Sequence, residues 1–270
     1  GVLVAVIDSG IDYRPPAFRR EDGSSRILYY LDQESGREYT ESDLNAAMDV
    51  REKTDAVLPP TDTFRGHGTA VAGIAAGNGA GSAGRRYRGV AVDSDLLVVR
   101  LGSGGGDFPR TTEVMTALDY VVTRAVAIGR PVAVNLSFGN NYGAHDGQSL
   151  FERYIAELAQ VWKSSIVIAA GNEGDARHHA QIRIGQQPQN VPFAIAERET
   201  NISIQIWKQY YDQMAIFIES PDGSIRQIER IAGSSRQYDM GNNRLLVYYG
   251  EPTPYTVSQE IYIEWITKPG

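Results

Sequence analysis

The stretch VLVAVIDSGID, residues 2–12, decides how the chain is read. Six consecutive branched or small apolar residues, 2–7, are the pattern of a strand buried on both faces of a parallel sheet. The run stops at Asp8 and turns at Gly10, where a missing Cβ permits a tight bend. Open α/β sheets place their ligand-handling groups at the carboxyl ends of strands, and that is where Asp8 sits. A turn aspartate satisfied by nearby backbone N–H groups is the ordinary alternative for such a residue.

Working outward, the next stretch of note is FRGHGTAVAGIAA, residues 64–76. Gly66 and Gly68 flank His67, and the small residues from Thr69 to Ala76 read as a thin helix that packs close to its neighbour. Residues 26–31 (RILYYL) suit a strand, and residues 41–48 suit a short helix capped by Ser42. Further buried strands are expected at 96–101 (LLVVRL), 131–137 (PVAVNLS) and 166–170 (IVIAA). Between them lie two amphipathic helices. One starts at Thr111 or Thr112 and stops at Gly129. The other runs from Leu150 to Trp162. Alternating strands and helices imply a parallel sheet with helices on both faces. Asp8, the glycine run 102–106, residues 137–139 and residues 171–172 then share one edge of that sheet.

Beyond about residue 190 the period changes to two. Ile202, Ile204 and Ile206 alternate with polar residues, Ser220-Pro221-Asp222-Gly223 is a turn, and residues 245–249 and 260–266 continue the pattern. This predicts an antiparallel β-sandwich or jelly roll. The expected organisation is an α/β core over residues 1–190 and a β module over 191–270, the latter incomplete because the chain stops directly after a strand.

Composition narrows the chemistry. The chain has 270 residues, enough for one large domain or two smaller ones, and no cysteine, which excludes a thiol nucleophile and a zinc–thiolate site. A net charge of −7 argues against nucleic acid or an anionic membrane as partner. No apolar run approaches the roughly 20 residues of a membrane span. Gly1 leads straight into a strand, which reads as a processed start with any leader or propeptide gone. The glycine-rich loop 77–89 lacks the G-x-x-x-x-G-K-[ST] of a phosphate cradle. His178 and His179 are adjacent and so diverge, which makes a poor metal pair, and His145 lies in a polar loop.

VAVIDSGID around Asp8, GHGTAVAG around His67 and AAGNEG around Asn172 occur in the order of, and together resemble, the subtilisin-like serine proteases, the subtilases. The resemblance covers residues 2–175. It implies that Asp8 orients the imidazole, that His67 is the general base, and that Asn172 donates its side-chain N–H to the oxyanion. A serine hydroxyl needs such a base at neutral pH, and imidazole, with an ordinary pKa near 6.5, can take the proton and return it to the leaving amine. It further implies a polypeptide substrate bound as an added strand between residues 102–106 (Gly102, Ser103 and Gly104 foremost) and Ser137-Phe138-Gly139, with Ala170 and Gly171 lining the pocket before the scissile bond. No organic cofactor is implied; family members often bind structural calcium through loop oxygens, which the resemblance leaves open, but no carboxylate cluster here has calcium-loop spacing and none is predicted.

One part of the family pattern is absent. Subtilases carry their nucleophile in G-T-S-x-A-x-P, and neither Ser82 nor Ser234 has that setting. The expectation is a fragment of a serine endopeptidase, inactive by itself, whose serine follows an inserted jelly roll. The alternative is a pseudoprotease acting as sensor or scaffold. A third reading makes the β region a binding module through Trp207, Tyr210, Tyr211, Tyr248 and Tyr249. IQIWKQYYD (residues 204–212) and YYGEPTPYTVSQEIYIEWI (residues 248–266) resemble the Csp-type proteases of spore-forming clostridia, which act in spore germination by cleaving a cortex-hydrolase zymogen. That resemblance implies an extracellular or spore-associated location.

Overall fold

The computed structural model describes residues 1–49, 59–62, 65–102 and 109–267. It comprises two units, Gly1–Gly139 with Arg153–Ala170, and Asn140–Glu152 with Gly171–Gly270.

The first unit is built on strands β1 (Leu3–Asp8), β2 (Ile27–Asp32), β3 (Arg37–Thr40), β4 (Leu96–Arg100), β5 (Val132–Leu136) and β6 (Ser164–Ile168). They lie in the order β3-β2-β4-β1-β5-β6. All neighbours are parallel except β2 and β3. β1 is central and buried along its whole length, as its unbroken apolar run requires. Its two faces serve different layers. Val4 and Val6, with Leu96 and Val98 of β4, pack on a cluster that includes Leu44 of helix α1 (Glu41–Asp49) and Ala72 and Ala76 of helix α2 (His67–Ala76). The alternate residues Leu3, Ala5 and Ile7 point the other way. Helix α3 (Thr111–Ile128) lies against β1, β4 and β5, and buries Val114, Leu118, Val121, Val122 and Ala125. It stops at Gly129 in the left-handed conformation, as the glycine predicts.

Two local expectations are corrected, and one strand is added. Thr40, not Ser42, opens α1: its N–H donates to Asp43 Oδ2 at 2.8 Å and its Oγ1 accepts the Asp43 N–H at 3.4 Å, the reciprocal arrangement of a capping box. Helix α4 (Leu150–Leu158) ends four residues before Trp162, where i→i−3 bonds tighten its last turn. The Trp162 indole N–H instead donates to the Arg130 carbonyl at 2.8 Å. Strand β3, REYT, is too short and polar to show a period; it forms by pairing with β2.

Arg26 is buried, and its guanidinium donates to the carbonyls of Ala17, Ala76, Ala91 and Ser94. One internal cation thereby satisfies the carboxyl end of α2 and the segment leading to β4.

The second unit contains β7 (Asn201–Gln209), β8 (Phe217–Glu219), β9 (Ile225–Gln227), β10 (Ser234–Met240), β11 (Asn243–Tyr249) and β12 (Ser258–Thr267). The antiparallel order is β10-β11-β12-β7, with β8-β9 a separate hairpin closed at Ser220–Ser224. Cross-strand pairs such as Ile204 with Ile263 and Ile206 with Ile261 form the apolar face. Ile216, Ile218 and Ile228 pack against it. The period-two segments thus form an antiparallel β module following an α/β core. Of the aromatics named for a binding module, Tyr249 is in this core, whereas Tyr210, Tyr211 and Tyr248 are exposed. Among the described residues no helix is long and apolar enough to cross a membrane.

Candidate active site

Three features of the sheet place Asp8. It is the last residue of the central strand, it pairs in register with Arg100 of β4, and the neighbouring pair Ile7 and Leu136 sends β5 out beside it. The Leu101 N–H donates to the Asp8 carbonyl at 2.8 Å, so the chain leaving β4 also passes this point. The strand order reverses at β1, with β4 on one side and β5 on the other, which is where open parallel sheets form their clefts.

His67 is the first residue of α2, and its Nδ1 lies 2.8 Å from Asp8 Oδ1. The carboxylate is 5% exposed and the imidazole 46% exposed, so a buried acid holds a ring that is open on one side. The same Oδ1 accepts the Ser9 N–H at 2.8 Å. An ionised carboxylate only accepts, so the imidazole proton belongs on Nδ1 and the Nε2 lone pair is left for a substrate-side proton. Asp8 Oδ2 is buried without a hydrogen-bond partner among the described residues.

Gly68 makes this approach feasible. A Cβ there would overlap the Gly10 carbonyl oxygen and lie 3.1 Å from Asp8 Oδ1. Gly10, at φ +112°, likewise has no room for a side chain, because Tyr30 Oη would be 2.8 Å away.

The N-terminus of α2 has no cap of its own, since Gly66 is left-handed and bears no side chain. Its first N–H groups find acceptors elsewhere. Gly68 N–H reaches Ser9 Oγ at 3.3 Å, and Thr69 N–H reaches Asp62 Oδ2 at 2.8 Å. Asp62 also accepts the hydroxyls of Ser9 (2.8 Å) and Thr69 (2.9 Å), and Thr69 Oγ1 accepts the Asp12 N–H at 2.9 Å. Neither Asp62 nor Thr69 stands out in the sequence. The available signal was a helix beginning with Gly-His-Gly, which needs an outside acceptor. An open depression of about 450 Å³ beside this network is lined by Asp12, Arg14, Thr61, Asp62, Gly66, Thr69 and Ala70. Burial alone would raise the Asp12 carboxyl, but the Arg14 side-chain and backbone hydrogen bonds hold it below the usual value.

The other expected residues fall as follows. Gly102 is buried, and its N–H donates to Gln33 Oε1 at 3.1 Å. Ser103 and Gly104 lie outside the described residues. Ser137, Phe138 and Gly139 follow β5 at the same sheet edge as Asp8, with Ser137 Oγ accepting the Asn135 side-chain N–H at 2.8 Å. Ala170 follows β6 and is exposed. Gly171 and Asn172 are exposed in the second unit, in a segment where Glu173 accepts from Asn141 (2.6 Å) and pairs with His178 (3.2 Å).

A parallel sheet with a buried aspartate on its central strand and a half-open histidine on a glycine-flanked helix defines a protein class. Residues 1–219 match the family model described as Subtilase family, Peptidase_S8, and the chain belongs to that family. The CspB protease of Clostridium perfringens superposes with a TM-score of 0.84 at 30% identity, over 99% of this chain and 56% of that one. The minor extracellular protease Vpr of Bacillus subtilis is 36% identical over 151 residues, which is 54% of this chain and 15% of Vpr. The chain thus spans about half of the first relative and a small part of the second.

Proposed function

We propose that this chain carries the acid–base half of a subtilisin-type serine endopeptidase, with the nucleophile supplied by sequence outside these 270 residues. The preformed Asp8–His67 pair, 2.8 Å apart at the switch point of the sheet, carries the reading. In this role Nε2 of His67 takes the proton of the attacking serine and hands it to the leaving amine. Asp8 fixes the tautomer and stabilises the imidazolium. Asn172 donates to the oxyanion. The substrate is a polypeptide laid as an extra strand between residues 102–106 and 137–139, with Ala170 and Gly171 beside the residue before the scissile bond.

Two further observations support this assignment. Ile74 on α2 and Val90 just beyond it are 72% and 89% exposed. The Val90 N–H donates to the Ile74 carbonyl at 3.2 Å, so the two side chains lie side by side as exposed apolar surface at the helix that bears His67, suited to a packing partner carrying the serine. The β module is read as a jelly roll, and the protein as one that acts in spore germination, on the resemblance of residues 204–212 and 248–266 to Csp-type proteases; the likeness to Vpr supports an extracellular location. A propeptide goes with the same family assignment.

The polypeptide made from the complete reading frame should label with a fluorophosphonate serine probe. His67→Ala should abolish the labelling, and the 270-residue chain alone should show none. Unchanged labelling in the variant would remove His67 from the mechanism. A reading frame with another residue in place of the serine would make the protein a pseudoprotease, acting as sensor or scaffold.

A further inference from the structure

We infer that Asp62 is a positioning residue for the catalytic pair: one carboxylate that ties the turn bearing Asp8 to the first turn of the helix bearing His67. The inference rests on the reading of Asp8 and His67 as an acid–base pair. Oδ1 of Asp62 receives the Ser9 hydroxyl at 2.8 Å, and Ser9 is the residue next to Asp8. Oδ2 receives the N–H and the hydroxyl of Thr69, at 2.8 and 2.9 Å, two residues beyond His67. Asp62 therefore holds both members of the pair through their chain neighbours and touches neither.

The helix requires such a tie. With Gly66 at the cap position and no side chain there, the first N–H groups of α2 have no acceptor within the helix, and its amino end carries the positive dipole end. An acidic acceptor outside the helix answers both needs at once. The Ser9 hydroxyl has one proton and two carboxylate oxygens within reach, Asp62 Oδ1 at 2.8 Å and Asp8 Oδ1 at 3.1 Å. The shorter contact assigns the proton to Asp62. Asp8 Oδ1 is then left to the Ser9 N–H and the imidazole. Ser9 Oγ in turn accepts the Gly68 N–H at 3.3 Å, which closes the ring of contacts around the start of the helix. Thr69 extends it to the Asp12 backbone at 2.9 Å. Losing Asp62 removes its bonds to Ser9 and to Thr69, and weakens the hold of the first turn of α2 on the turn that bears Asp8. The ring can then tilt out of line with the carboxylate.

Histidine labelled with ¹⁵N in the ring, in the full chain, reads this directly above the pH range where imidazole titrates. His145, His178 and His179 lie in the second unit and serve as internal controls. The wild-type chain should show His67 as a single Nδ1–H tautomer with a slowly exchanging proton. In Asp62→Ala, exchange of that proton and of the Thr69 amide should speed up by at least about tenfold, with the three control histidines unmoved. Thr69→Ser, which keeps both groups that Asp62 accepts, should behave as wild type. A folded Asp62→Ala chain with an unchanged His67 signal overturns the inference. Should that variant not fold, Ser9→Ala decides, because it keeps Asp62 and its bonds to Thr69 but removes the hydroxyl through which Asp62 reaches β1, together with the weaker Gly68 contact; an unchanged His67 signal there overturns the inference equally. A wild-type His67 lacking any carboxylate-bound Nδ1–H would instead refute the acid–base reading, which separates the two failures.

Discussion

The two halves of the six-stranded sheet are finished to different degrees. From β4 to β5 every apolar side chain except the half-buried Ala133 is covered, and β1 is buried from end to end. At β6 the cover fails: Val167 and Ile168 are 59% and 43% exposed, and Val161 just before the strand is 64% exposed. Asp8 and His67 belong to the covered half, whereas Ala170 follows the bare edge. A buried carboxylate facing an imidazole requires rigid surroundings, because displacement of either partner breaks a single hydrogen bond. The acid–base pair is therefore complete on local packing alone. The bare edge offers apolar surface and strand backbone to whatever the whole protein brings against it.

The largest effect should separate the halves directly. Leu97→Ala, at a fully covered position in β4, should cost about 3 kcal/mol, whereas Val167→Ala on β6 should stay within about 0.5 kcal/mol. Chemical denaturation of the two variants measures this. Equal losses would mean that β6 is covered in solution, by a second copy of the chain for instance, and the contrast would disappear. Next in size, Gly68→Ala should cost roughly 2 kcal/mol through backbone overlap with Gly10 and should move the His67 ring off Asp8. The ring ¹⁵N spectrum reports that movement, and an unmoved ring would show that the covered half yields more easily than its packing implies.

The smallest effect is acid sensitivity. Asp12 and Asp95 flank β1 and β4, and both titrate below the usual aspartate value although burial pushes each upward. Arg14 outweighs burial at Asp12, and hydrogen bonds from Arg130 and Arg20 do so at Asp95. Their folded values are depressed, so the unfolded chain binds protons first. The stabilisation is fully present above the ordinary aspartate value and is lost as pH falls through the lower folded one. The denaturation midpoint should decline below about pH 4. Asp95→Asn should flatten the decline, and a midpoint indifferent to acid in the wild-type chain would refute the account.

Much of this was legible in residue order alone. The unbroken run at 2–7 specified a doubly buried strand, and the Gly-His-Gly start of α2 specified close approach. The alternation at Ile202, Ile204 and Ile206 specified a sheet with one apolar face. Those signals are local, because period and side-chain size act over a few residues. Asp8, His67 and Asn172 were recognisable from the motifs around them. The capping by Thr40, the early end of α4 and strand β3 were not, since each depends on hydrogen bonds whose alternatives differ by about 1 kcal/mol, which local pattern does not resolve.

The sequence by itself determined most of the strands and helices, the change of period near residue 190 and the three motifs that hold Asp8, His67 and Asn172. Only the tertiary structure decided that Asp8 and His67, 59 residues apart, meet at 2.8 Å. It also decided that Asp62 bonds to Ser9 and Thr69, the chain neighbours of both, and that one edge of the sheet is bare. A distance between remote residues is set by how layers pack, and the packing that joins β1 to α2 is written in no single segment of the chain.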